Sequence, residues 1–211
     1  MYTPRFNVMD ERELGYLVTD AGSAELVTVG EDGFPLATRL PVLWQGRRLV
    51  FHMALANPHW RSIGDGAPAL AVVTGPEGYV SPSWYAGKAT HGRVVPTWNY
   101  SAIHFTGRAT VHRDPDWLLE AVTALTDEHE QRRPAPWAVA DAPETFVAQQ
   151  LRAIVGVELV IEGVQGKAKR SQNKSAEDRA TVVEGLRNGS LRDQALGQQM
   201  ERDLRGGGAA R

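Results

Sequence analysis

Apolar and polar positions alternate most cleanly over 102–111. Ile103, Phe105, Gly107, Ala109 and Val111 fall on one side and Ala102, His104, Thr106, Arg108 and Thr110 on the other, the period of a strand with one buried face. Val155, Val157, Leu159 and Ile161 repeat that period late in the chain. Ala24–Val29 and Pro35–Leu43 flank Glu31-Asp32-Gly33, a strong hairpin signal. Gln45-Gly46 turns the chain into Arg48–Met53, and Ala69–Thr74 is an apolar run suited to a buried strand.

Helical spacing is confined to a few places. Asp10 with Glu13 opens a short helix through about Thr19. Asp114-Pro115 starts a helix that buries Leu118, Ala121, Val122, Leu125 and His129. Asp141 with Glu144 caps a short one, and Ser175 with Asp178 caps another burying Ala180, Val183 and Leu186. A weakly amphipathic stretch, roughly 190–205, leads to the flexible-looking Gly206-Gly207-Gly208. Short strands joined by hairpins, with helices not alternating between them, predict a mainly β, antiparallel barrel with C-terminal helices. The expected organisation is one domain over 1–188 with a helical insertion near 114–150, and a weakly helical to flexible tail over 189–211.

Composition narrows the class. Of 211 residues 42% are hydrophobic and 23% charged, as in an ordinary globular protein. No apolar run is long enough to span a bilayer, and the first residues lack a signal peptide's core, so a cytoplasmic location is expected. Zero cysteines exclude disulfides and thiolate metal sites. A net charge of −2, with one basic cluster at Lys167, Lys169, Arg170 and Lys174, argues against direct DNA binding.

Candidate chemistry concentrates in five segments. Arg39 sits mid-strand in "ATRLP", where burial would demand an anion, either a phosphate or a carboxylate. "HMALANPHW" offers His52, Asn57 and Trp60 at a strand exit, and its two histidines, His52 and His59, stand seven apart, a spacing that matches no common metal site. "YVSPSWY" and "VPTWNY" bracket an irregular stretch over 81–99, coupling Pro-fixed backbone to rings and hydroxyls; a flat heterocycle or a subunit interface would suit them equally. "GKAKRSQNKS" places Lys167 and Lys169 on one side of an extended segment.

Taken in order, these five segments resemble the PaiB family, FMN-binding negative transcriptional regulators, from near residue 1 to about 188. The resemblance implies an FMN-binding split barrel and a homodimer with cofactor sites at the subunit interface. It implies that Thr38, Arg39, Leu40 and Pro41 lie along the flavin, and that His52, Met53, Ala54 and Asn57 complete its phosphate and ribityl pocket, with Trp60 beside them. Ser81, Trp84 and Tyr85 would shape the substrate side, and Lys167 and Lys169 would reach the site late in the chain. The function so implied is a transcriptional regulator or flavin-dependent redox sensor, with a small-molecule ligand. The alternative is an FMN- or haem-dependent oxidoreductase resembling the piperazate synthases, in which His52 would be the metal ligand; no other metal site is expected.

Overall fold

The structure, a computed structural model, describes residues 1–206, so Gly207 and Gly208 of the expected tail lie outside it. In chain order the elements are α1 (Glu11–Ala21), β1 (Ser23–Val29), β2 (Pro35–Pro41), β3 (Leu43–Gln45), β4 (Arg48–Ala54), β5 (Ala67–Thr74), β6 (Gly78–Val80) and α2 (Gly87–His91). There follow β7 (Thr97–His112), α3 (Pro115–Glu130), α4 (Glu144–Leu151), β8 (Ile154–Lys169), α5 (Ala176–Arg187) and α6 (Leu191–Gly206). Short 3-10 turns at Pro58–Ser62 and Pro82–Trp84 carry two of the candidate motifs.

The strand order is β2-β1-β5-β7-β8-β4-β3, with β6 added to β7. The β1–β2, β1–β5, β3–β4, β4–β8 and β6–β7 pairs are antiparallel. The order has two ends, β2 and β3, so hydrogen bonding does not close the sheet, as in a split barrel. The expected strand over 35–43 is in fact two. Pro41 has no N–H to continue a ladder, and the Val42 N–H turns instead to the Gly22 carbonyl at 3.1 Å. The chain thus leaves β2 at one end of the order and enters β3 at the other.

The chain divides into two compact units. The first comprises Met1–Glu11, Thr74–Ala102 and the segment from Gly166 onward; the second comprises Arg12–Val73 and Ile103–Gln165. In the second unit Leu26, Leu49, Phe51, Ile103, Phe105 and Leu159 are fully buried, the last three among the alternating residues of the two strands read from period two. On another side Leu43 and Val50 pack with Ala121 and Leu125 of α3. His129, expected in that buried stripe, is exposed, because it falls in the last turn of α3.

In the first unit Val80 and Tyr85 pack with Val182, Val183 and Leu186 of α5 and with Leu196 and Met200 of α6. Both α6 side chains are fully buried, so this helix closes a core that its weak amphipathic pattern conceals. The irregular stretch is also shorter than expected, since β7 already begins at Thr97. Asn99 is fully buried there, and its amide donates to Ser171 Oγ at 3.0 Å.

Candidate functional site

β2 presents two chemically different faces. Thr38 pairs across the ladder with Leu26 and Leu40 with Ala24, both buried, so Thr38 and Leu40 turn inward. Ala37, Arg39 and Pro41 turn outward and are exposed. Arg39 is therefore not the buried cation its apolar neighbours suggest: its side chain is 59% exposed and pairs with Glu25 at 3.3 Å. The register explains this, since Glu25 stands directly opposite Arg39 on the outer face. Such an exposed pair contributes about 0–1 kcal/mol and is easily exchanged for a stronger anion.

Behind that strand lies a polar lock that sequence reading missed. Asn57 caps the 3-10 turn Pro58–Ser62, its side-chain oxygen accepting from the His59 N–H at 3.0 Å. This delivers the buried His59 ring between two hydroxyls: Nδ1 lies 2.7 Å from Thr38 Oγ1 and Nε2 lies 2.8 Å from Thr28 Oγ1. A neutral imidazole satisfies both, one nitrogen donating and the other accepting. Burial holds the ring below the ordinary histidine value of 6.5, favouring that neutral form. The Asn57 amide also approaches Thr38 Oγ1, at 3.5 Å. The available signal was Asn-Pro before a histidine, a capped turn able to aim one ring inward.

β4 divides in the same way. Met53 lies on the side of Leu49 and Phe51, in the core, whereas His52 and Ala54 share the side of Val50, which α3 covers. His52 stands opposite Gly156, and the indole of Trp117 fills the space that a side chain at Gly156 would take. His52 Nδ1 is buried without a hydrogen-bond partner, and burial lowers the pKa of the ring. Trp60, in the capped turn, donates from Nε1 to the Leu55 carbonyl at 2.9 Å.

The remaining candidates belong to the first unit. Ser81 caps the turn Pro82–Trp84, accepting from the Ser83 N–H. Tyr85 is buried in the core, and the Trp84 indole occupies the space above Gly185 of α5. Both rings therefore serve packing within this unit. The basic cluster is likewise committed. Lys167 is buried, donates to the Tyr2 carbonyl at 3.0 Å and lies over the Tyr100 ring. Lys169 donates to Thr97 Oγ1 and to the Trp98 carbonyl. Arg170 is buried in an ion pair with Asp203, and Lys174 lies over Tyr85. The two ammonium groups expected to point together thus take separate partners.

Among the described residues no group of three or more His, Cys, Asp or Glu is gathered for a metal ion, and no helix is long and apolar enough to cross a membrane.

Comparison with known proteins places these observations. The family described as "Putative FMN-binding domain" matches residues 1–163. Protease synthase and sporulation protein PAI 2 of Bacillus subtilis (strain 168) is 32% identical over 193 residues, covering 89% of this chain and 90% of that protein. Among solved structures, the FAD and heme binding protein from Mycobacterium smegmatis superposes with a TM-score of 0.59 at 23% identity, over 81% of this chain and 76% of its own. The conserved hypothetical protein Rv2991 from Mycobacterium tuberculosis superposes with a TM-score of 0.58 at 14% identity, over 83% of this chain and 94% of its own. At these identities the likeness is one of fold, the split barrel.

Proposed function

The chain belongs to the PaiB-type family of FMN-binding split-barrel proteins, and from that premise we propose that FMN sits against the outer side of β2 in the second unit. Arg39 and Pro41, on that outer face, would hold it there, and Thr38 and Asn57 would brace the strand from behind. The observation that carries this reading is Arg39. It is exposed on a strand at the end of the sheet order, and its pairing with Glu25 is only a surface pair. The planar guanidinium suits a phosphate, which offers stronger charge-assisted hydrogen bonds than an exposed glutamate. The unpaired edge of β2 adds backbone donors and acceptors of the kind a flavin ring's polar rim requires. The Thr38–His59–Asn57 lock fixes that strand to the capped turn, so the platform is set before the ligand arrives. Bound FMN supplies electron-transfer chemistry; the protein's part is to hold and shield it.

Haem on His52 is a second reading, favoured by one observation: Nδ1 is buried without a hydrogen-bond partner, and burial disfavours the charged form of the ring. Against it stands Trp117, which fills the space over the residue facing His52 and leaves little room for a macrocycle. The absorption spectrum after reconstitution separates the two. Flavin bands at about 370 and 450 nm support the first reading, and a Soret band at about 400 nm would replace it with the second.

The role we propose is a flavin-dependent redox sensor or regulator that acts through a partner or a metabolite rather than by gripping DNA. In its support, all four members of the one basic cluster are taken by internal partners. A gel shift at physiological salt is expected to show no retardation of promoter DNA; a specific complex tighter than the roughly micromolar nonspecific range would overturn this reading. Pairing of two chains is supported by Val29, Phe34 and Leu36, apolar residues exposed on the β1–β2 hairpin. Light scattering of wild-type and Phe34→Asp protein tests it, a wild-type monomer being the contrary result.

A further inference from the structure

The helical insertion holds a cleft that the flavin platform does not use. α4 has no buried residue along its eight positions, so it lies over α3 without filling the space beneath. That space, about 390 Å³, is lined by Leu118, Ala148, Leu151 and Ile154, with Arg113 and Arg152 also on its wall. Its size falls within the range of small-molecule sites, ~300–1,000 Å³.

Two arginines give the cleft its charge. Among the described residues neither forms an ion pair with a carboxylate, so no acidic side chain competes with a ligand for them, whereas Arg39, Arg48, Arg108, Arg170 and Arg187 are so paired. The nearest carboxylate in sequence, Asp114, is engaged as the N-cap of α3 and accepts from the Trp117 N–H at 2.9 Å. Arg113 instead lies over the Trp60 ring, 5.6 Å from its centroid, where Arg61 also stacks at 5.1 Å. An apolar cleft walled by uncompensated guanidinium groups is complementary to a molecule with one anionic end and an apolar body.

We propose that this cleft binds an organic monocarboxylate with a compact apolar body, its carboxylate on Arg113 and Arg152 and its hydrocarbon part against Leu118, Leu151 and Ile154. Such a ligand would supply the contacts that α4 lacks, and is a chemically defined candidate for a small-molecule effector.

Octanoate is the probe, titrated into the full chain with and without FMN and followed by tryptophan fluorescence, since Trp60 touches Arg113. Saturable binding is expected, with octanol and inorganic phosphate each weaker by about tenfold or more, because each lacks one half of the recognition. Arg113→Gln with Arg152→Gln should weaken octanoate by about tenfold while leaving the fold intact, both side chains being exposed. Ala148→Trp, at an exposed position, should abolish binding by filling the cleft. Absence of saturable binding, octanol or phosphate binding as well as octanoate, or wild-type affinity in either variant would overturn the proposal. So would competition with FMN, which would assign the cleft to the cofactor.

Discussion

Thr38 Oγ1 lies 2.7 Å from His59 Nδ1, joining an end strand of the sheet to the turn that follows β4. The same ring reaches Thr28 on the neighbouring strand, so one buried imidazole ties three segments together. His59→Ala would leave the buried Thr28 hydroxyl unpaired, at a cost of about 1–3 kcal/mol. Urea unfolding should show that loss. A variant as stable as wild type would show that the lock carries no energy.

The same ring makes stability depend on pH. His52 and His59 both have folded-state pKa values below 6.5, in each case because burial disfavours the charged form. Both groups are neutral in either state well above 6.5, so their contribution to stability is complete there. As pH falls below 6.5 the unfolded chain takes up protons that the folded chain resists, and stability declines until the lower folded pKa values are passed. Unfolding at pH 7.5 and about 5.5 should show this decline in wild type, and a smaller one in His59→Gln.

These residues also show what the sequence made legible. Period-two alternation located the inward faces of β7 and β8, because burial of one face writes itself directly into the pattern. Their extensions, Thr97–Ser101 and Gly163–Lys169, were hidden by Trp, Asn, Lys and Gly, which carry no simple alternation yet still pair as strand. The break after Pro41 was visible only as a proline, and the crossing to the far end of the strand order is a tertiary fact. Arg39 was misjudged as buried because end strands and central strands share the same apolar composition. His59 shows the opposite limit: seven residues from His52 it fits no metal spacing, and its structural role is not legible. A lone histidine in a turn gives no sign that two threonines, 21 and 31 residues earlier, will meet it.

Arg39 separates cofactor binding from folding. Arg39→Ala removes an exposed pair with Glu25 and should change stability by no more than about 1 kcal/mol. If Arg39 holds the phosphate, FMN affinity should fall by roughly tenfold or more, the value of a charge-assisted hydrogen bond. Unchanged affinity in a folded variant would remove Arg39 from the site.

Gly156 is a packing position rather than a flexible one. Its backbone needs no special conformation, yet the Trp117 indole fills the place of a side chain and stacks on His112 at 4.1 Å. Gly156→Val must displace that ring, an overpacking cost of typically 1–3 kcal/mol, i.e. about 2 kcal/mol here. Thermal unfolding checks this. A variant of wild-type stability would mean that Trp117 moves freely.

The measurement closest to the central claim is a titration of flavin-free protein with FMN, followed by flavin fluorescence, in wild type and in Arg39→Ala. Saturable binding near one FMN per chain, clearly weakened in the variant, is the result expected from a phosphate held on β2. Absence of saturable binding by the folded wild-type protein would contradict flavin binding itself, and equal affinity in the two proteins would contradict its placement on β2.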